Sequence, residues 1–234
     1  MNYIEPIATV DPVIFTIKED KLHILIIRRT NEPFIDELAL PGGFVYAGST
    51  DGTASVDQDL DSAVRRVLFE KTGIDSPYFE QLHSFGSLTR DTRKWSISVS
   101  YVSLMDWEQV KQAQAGLHTK EVIWLPVDEV ANTEFAFDHK DIINLALERL
   151  RNKVNYSSLP VHFLPETFTI TQLQSVYEKI LGKDIDKSAF RKKLKEMDFL
   201  ERTEEKLTGS HRPAVLYRFK EEGKQCFRSN LVGF

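Results

Sequence analysis

The pattern of the chain changes near residue 155, and that change restricts it to two units of different kinds. Before the change the signal is mostly strand. VDPVIFTI from Val10 and LHILIIRR from Leu22 are rich in β-branched residues. The polar KEDK separates them, which predicts a hairpin. TNEPFIDEL reads as a loop and ALPGGF as a turn on Pro41, Gly42 and Gly43. Tyr46 to Gln58 is rich in Gly, Ser, Thr and Asp and has no periodicity, so it reads as a long loop. QLHSFGSL, KWSISVSYVSLM and EVIWLPV are further strands. In the second, Trp95, Ile97, Val99 and Tyr101 alternate with Ser96, Ser98 and Ser100, which predicts one buried apolar face and one polar face.

Two helices complete this half. LDSAVRRVLFEKTG is begun by Asp59 or Asp61 and stopped by Gly73. In DHKDIINLALERLRNKV, Ile142, Leu145, Ala146 and Leu150 follow a helical period. Mixed strands and helices predict an α/β domain over residues 1–154.

NYSSLPVHFLPETF leads into the second unit, residues 155–234. TITQLQSVYEKILG presents Leu173, Val176, Tyr177, Ile180 and Leu181 on one face and closes on Gly182. The five residues GKDID join it to a helix in DIDKSAFRKKLKEMDFL. There Phe190, Leu194 and Met197 share a face, and Lys187, Arg191, Lys192 and Lys195 lie away from it. ERTEEKLTGSHRPAVLYRFK reads as two strands around a loop from Glu204 to Arg212. Helix, short turn, basic helix and hairpin is the order of a winged helix-turn-helix.

Charge follows the same division. Residues 1–154 carry a net charge of −8 and residues 155–234 a net charge of +3. The basic half is therefore the candidate for nucleic acid. In it, Lys187, Ser188, Arg191, Lys192 and Lys195 are the expected DNA contacts on the helix, with His211 and Arg212 at the wing tip. Ser188 and Arg191 are placed for base edges, and the lysines for phosphates. No apolar run approaches the roughly 20 residues of a membrane span. The N-terminal MNYIEPIATVDP has no basic lead, and Cys226 is the only cysteine. A cytoplasmic protein without disulfides, cysteine metal sites or membrane contact is expected.

PGGF, a loop, and a helix ending in Arg-x-Leu-x-Glu-x-x-Gly-Ile resemble the Nudix box, G-x5-E-x7-R-E-U-x-E-E-x-G-U with U aliphatic. In that family the glutamates on one helix face hold Mg²⁺ against a pyrophosphate. Here Gly43, Arg66, Leu68, Glu70, Gly73 and Ile74 match. Val67 and Lys71 stand where two of the glutamates belong, and Ser49 falls at the early one. The loop is nine residues longer than the pattern, so Asp57 or Asp59 is a candidate replacement. Val67 offers no ligand, and Lys71 puts a cation in the metal's place. We therefore expect no metal, no cofactor and no hydrolysis. A pocket that holds an anionic ligand uncut is expected instead, with Gly42, Gly43, Arg66, Glu70 and Lys71 on its wall. Arg90 and Arg93 of SLTRDTRKW are placed to fork onto phosphate or ribose oxygens; Phe34 could stack on a base, though an aromatic in a loop more often packs in the core.

Nudix domain followed by winged helix resembles the Nudix-related transcriptional regulators of NAD metabolism. The matching pieces are LPGGF, EKTGI, RDTRKWSISVSY, AFDH at Ala136–His139, LGKDIDKSAFR and RPAVLYRF. The resemblance implies an α/β/α Nudix sandwich with a C-terminal winged helix domain. It implies a homodimeric repressor of NAD-synthesis genes that binds a palindromic double-stranded operator. Such a repressor leaves DNA on binding ADP-ribose or a related NAD-derived ligand. Sugar-responsive regulators share the architecture, and a hydrolase acting on ADP-ribose is the enzymatic alternative.

Overall fold

A computed structural model describes residues 5–48, 56–76, 78–154, 159–197, 199–207 and 214–220. The chain forms two compact units, one from residues 1–16 and 23–146, the other from 17–22 and 147–234. The division falls inside a helix.

The first unit is built on a seven-stranded sheet. Its strands are β1 (Ile7–Lys18), β2 (Lys21–Arg29), β3 (Leu38–Ala39), β4 (Gly43–Phe44), β5 (Glu80–Ser87), β6 (Ser96–Leu104) and β7 (Thr119–Pro126). The order is β3-β2-β1-β6-β5, with β4 beside β1 and β7 beside β2. The expected hairpin is β1–β2, and it turns on Glu19 and Asp20 at φ 48° and 62°. β1 and β6 run parallel from Ile7↔Ser96 to Phe15↔Leu104. Val10, Val13, Ile14 and Phe15 of β1 are fully buried, as befits a central strand covered on both faces.

β6 departs from the expected polarity, most clearly at its start. Ser96, Ser98 and Ser100 are fully buried, whereas Trp95 is exposed and Ile97 and Val99 are only partly covered. The serines face buried charged groups: Ser98 donates to Asp11 and Arg90 donates to Ser96. The Ser100 hydroxyl is buried without a hydrogen-bond partner among the described residues, and on the other face Tyr101 and Val99 pack under α1, so both faces of β6 are covered where alternation pointed to one.

Helix α1 (Leu60–Thr72) lies against the opposite face of the sheet. Asp59, of the two candidates, caps it: its carboxylate accepts from Ser62 N and the Ser62 hydroxyl accepts from Asp59 N, a reciprocal capping box. Gly73 ends it at φ 70°, a conformation that favours glycine. Ala63, Val64 and Val67 pack on Val10 and Tyr101, and Leu68 packs with Ile14, Leu25 and Met105. A one-turn helix α2 (Trp107–Val110) and a 3₁₀ turn (Val127–Asn132) precede α3 (His139–Lys153).

In the second unit a 3₁₀ turn (Leu159–Phe163) leads into α4 (Ile170–Leu181), α5 (Lys187–Met197) and a hairpin of β8 (Leu200–Leu207) and β9 (Ala214–Phe219). Thr169 and Gln172 form a capping box on α4, and Gly182 ends it at φ 67°. The side chains of Tyr177 and Phe190 are fully buried, with ring centroids 5.4 Å apart. The hairpin is longer than expected, because β8 continues through Glu204 to Leu207. Arg202↔Tyr217 pairing and a bridge from Phe168 to Tyr217 tie it to the entry of α4. Among the described residues no helix is long and apolar enough to cross a membrane.

Candidate ligand pocket and nucleic-acid interface

A cavity of about 300 Å³ opens in the first unit between the Gly42–Gly43 turn, the last turns of α1 and the loop at Arg90–Arg93. That volume is at the small end of ligand pockets. Gly42, Gly43, Arg66, Glu70, Lys71, Arg90 and Arg93, all singled out from the sequence, line this one cavity.

The turn is glycine for lack of space. A Cβ on Gly42 would stand 1.7 Å from Asp11 Oδ1, and one on Gly43 would stand 3.0 Å from Val67 Cγ2. Val67 is 2% exposed and belongs to the core under α1. The position of a metal-binding glutamate in the Nudix pattern is thus a packing position here.

Arg66 is tied down on every side. It donates to Asp57 Oδ1 and Oδ2 at 2.7 and 2.8 Å, to Glu70 at 3.0 Å and to the Phe44 carbonyl at 2.8 Å. Its guanidinium also lies 3.9 Å from the centre of the Tyr46 ring. Hydrogen bonding to Arg66 holds the Asp57 carboxyl below the usual range. Asp57 is therefore a clasp for Arg66, and Asp59 a helix cap. Glu70, the remaining carboxylate of the box, is committed to Arg66. With Val67 buried and Lys71 cationic, these donors do not fit a Mg²⁺ ion.

Lys71 is half-buried on the cavity wall and is in no ion pair among the described residues. Burial, and then the charge of Arg29, push its pKa down to about 8, against a smaller opposing effect of Glu70. A neighbouring loop fixes its backbone. Gln114 N, Gly116 N and Leu117 N donate to the carbonyls of Thr72, Lys71 and Glu70. These are last-turn carbonyls that have no partner within the helix.

Arg90 is a floor residue, 8% exposed, and not the open-loop arginine that the sequence suggests. It forks onto Asp138 at 2.8 and 2.9 Å, donates to the Ser96 hydroxyl at 3.2 Å and approaches Asp11 at 3.4 Å. Burial disfavours its charge, but Asp138 and Asp11 more than restore it. His139 completes the floor. Its Nδ1 accepts from Leu40 N at 2.9 Å, so a neutral ring carries its proton on Nε2, 3.6 Å from Asp11. Full burial lowers the His139 pKa and favours that neutral form. Arg93 lies nearer the surface. It forks onto Asp91 and covers the Phe44 ring at 5.1 Å. Phe34 packs edge-on against Phe137, 4.8 Å between centroids.

Sequence reasoning missed Asp11 and Arg29, which line the cavity, and Asp138, which holds Arg90 in place. Asp11 did leave a signal, a lone acid inside the apolar run VDPVIFTI. His139 and Asp138 entered only as part of a matching segment, AFDH.

In the second unit, Phe190 and Leu194 of α5 face inward, and Lys187, Ser188, Arg191, Lys192 and Lys195 are all exposed. Asp186 starts the helix by accepting from Ala189 N at 2.8 Å. Gln174 locks the turn between α4 and α5, donating to the Ile185 carbonyl at 2.9 Å and to Glu178 at 2.8 Å. These contacts join α4 to the start of α5, whose exposed Lys187, Arg191, Lys192 and Lys195 lie together on one side of the helix. His211 and Arg212 lie outside the described residues.

Comparison with known proteins agrees with both halves. A NUDIX domain model matches residues 9–146. A model for the NrtR DNA-binding winged helix domain matches residues 160–219. The ADPR responsive transcriptional repressor NtrR of Acinetobacter baylyi is 40% identical over 93% of this chain and 84% of its own. An ADP-ribose pyrophosphatase of Methanocaldococcus jannaschii is 33% identical over 60% of this chain and 73% of its own. Shewanella oneidensis NrtR, in a crystal structure with a 27mer DNA, aligns with a TM-score of 0.79 at 37% identity over 96% of this chain and 99% of that one. The NUDIX domain of the same protein, complexed with ADP ribose, aligns at 0.56 with 36% identity over 63% of this chain and 90% of that one. The molecule is a NUDIX domain with a C-terminal winged helix domain. It belongs to the NrtR family of transcriptional regulators.

Proposed function

We propose that this chain is a DNA-binding transcriptional repressor whose NUDIX unit senses ADP-ribose, or a related NAD-derived pyrophosphate, without hydrolysing it. The genes it controls are those of NAD synthesis or salvage. The observation that carries this reading is α1. It keeps the Nudix helix and its cavity, while Val67 is buried and Lys71 replaces a metal-binding carboxylate. The named ligand and DNA of the relatives support the same assignment.

The sensor spans residues 1–154 and the reader residues 155–234. Gly42, Gly43, Lys71 and Arg93 face the ligand, and Arg66, Glu70 and Arg90 shape its walls. Lys187, Lys192 and Lys195 meet phosphates, Ser188 and Arg191 reach base edges, and His211 and Arg212 touch the backbone at the wing. One winged helix buries only roughly 600–1,000 Å² on DNA, so selective binding calls for two copies on a palindrome. A homodimer meets that need. Effector binding releases DNA if the two ligands prefer different arrangements of the dimer.

Retardation of a palindromic promoter duplex, with and without ADP-ribose, tests the reading. The expected result is a retarded band that ADP-ribose abolishes, with no AMP released in Mg²⁺. AMP release at about 1 s⁻¹ or faster would make the chain an enzyme.

A further inference from the structure

The charges around the NUDIX cavity are unevenly matched. Five cations line it: Arg29, Arg66, Lys71, Arg90 and Arg93. Three are neutralised, Arg66 by Asp57 and Glu70, Arg90 by Asp11 and Asp138, and Arg93 by Asp91. Two are not. Arg29 donates to the backbone carbonyls of Asn31 and Pro33, and neither it nor Lys71 is in an ion pair among the described residues. Glu32, also on the wall, is exposed and pairs with neither.

Resting on the ADP-ribose reading, we infer that Arg29 and Lys71 form the seat of the ligand's pyrophosphate and hold it as a dianion with no divalent cation. In a Nudix hydrolase the glutamates gather Mg²⁺, and the metal neutralises the pyrophosphate. Here the glutamates are lost, and two positive charges come from the protein itself. Two protein cations balance the two charges of a pyrophosphate diester. A Mg²⁺ ion beside them would overload the site with positive charge.

Both groups stand on fixed backbone. Lys71 lies in the turn of α1 whose carbonyls are bound by Gln114, Gly116 and Leu117. Arg29 ends β2, is gripped by the 31–33 carbonyls and lies 4.9 Å over the Phe137 ring. Each is disfavoured as a cation while the cavity is empty. Burial lowers the pKa of both, Lys71 is lowered further by Arg29, and Arg29 by Arg93. An arriving dianion relieves that unfavourable state, so part of its affinity comes from strain already present in the charges. Arg66 and Arg90, by contrast, would have to give up bidentate partners to reach a phosphate.

Calorimetry on the full chain tests this at neutral pH, titrating ADP-ribose in EDTA and again in Mg²⁺. The expected result is binding in EDTA that Mg²⁺ does not strengthen. Lys71→Met and Arg29→Met should each weaken it about 10- to 100-fold, the usual effect of removing a charge-assisted hydrogen bond. Binding that requires Mg²⁺, or unchanged affinity in Lys71→Met, overturns the inference and leaves the repressor reading standing. If Arg29→Met does not fold, Lys71→Met and the milder Arg29→Lys decide. Inorganic pyrophosphate separates the two readings. If ADP-ribose fails to bind but pyrophosphate binds wild type more tightly than Lys71→Met, the effector assignment falls and the dianion seat survives. If pyrophosphate binds both equally, the seat falls.

Discussion

Val67 stands directly against Gly43, with its Cγ2 3.0 Å from the point where a Cβ on that glycine would be. In the Nudix pattern this residue is a glutamate that holds metal. Here it is 2% exposed, with its methyl groups packed against the PGG turn at the edge of the cavity, and a restored carboxylate would be buried there. Val67→Glu should therefore destabilise the chain by about 3 kcal/mol or more, the scale for a buried unpaired charge. Val67→Glu with Lys71→Glu should show a large fall in melting temperature and no AMP release. A stable double variant with turnover would show that the carboxylate finds room at the metal site after all.

Arg90 is expected to behave as a keystone of the floor more than as a ligand contact. Arg90→Ala leaves Asp11 and Asp138 facing each other without their cation. Removing one partner of a buried pair costs about 3–5 kcal/mol, and the partial exposure of Asp138 favours the lower end. Chemical denaturation should show that loss with no ligand present, while Arg90→Lys recovers part of it. A variant of native stability with weakened ADP-ribose binding would instead make Arg90 a direct contact.

The pKa of Lys71 near 8 predicts that effector affinity depends on pH. Below pH 8 the amine is charged and favours the anion. As pH rises through 8 the Lys71 cation is lost, and affinity should fall by up to about tenfold for each unit beyond the pKa, until Arg29 alone holds the anion. Lys71→Arg should flatten the profile. Stability runs the other way. The native pKa is depressed, so between pH 8 and the ordinary value of 10.5 the unfolded chain binds more protons and this group adds stability as pH rises. Lys71→Met should thus melt above wild type at pH 7, with the gap closing by pH 10.5.

On α5, Arg191→Ala should lower operator affinity and relax sequence preference, at about 1–3 kcal/mol for a lost base contact. Lys195→Ala should weaken all duplexes alike and reduce the slope of affinity against salt by about one. Titration of matched and scrambled duplexes at several salt concentrations distinguishes the two. Sedimentation should show a dimer at micromolar concentration.

The elements that follow simple periodicity were legible in the sequence. The β1–β2 hairpin, α1 with its Gly73 stop, and α4 followed by the basic α5 are formed by local patterns that their packing reinforces. β6 was legible as a strand, but the burial of its serine face was not, because those serines go inward toward Asp11 and Arg90. Arg90 and Ser96 lie close in sequence, but Asp11 and Ser98 lie 87 residues apart, so no local window contains that contact. The cavity residues divide in the same way. Those on one short motif, Gly42, Gly43, Arg66, Glu70 and Lys71, could be grouped by spacing. Arg29, Asp11 and Asp138 come from β2, β1 and the start of α3, and only the fold brings them to one place. Even where a residue was found, its partners were not. Arg66 and Arg90 read as free cations until Asp57 and Asp138 are seen beside them.

The clasp between Arg66 and Asp57 bears on how the chain can be altered. Tyr46 N donates to Asp57 Oδ2 at 2.7 Å, Asp57 N donates to the Tyr46 carbonyl at 2.8 Å, and Ala47 bridges Val56. The two ends of the insertion are thus pinned together, one step from the core. A segment inserted at such a pinned pair starts and ends on a fixed base, and doubling the length of a closed loop costs only about 0.6 kcal/mol in chain entropy. A protein engineer could therefore graft a label or a second recognition segment between Ala47 and Val56, with the pinned ends shielding α1 and the sheet from the change.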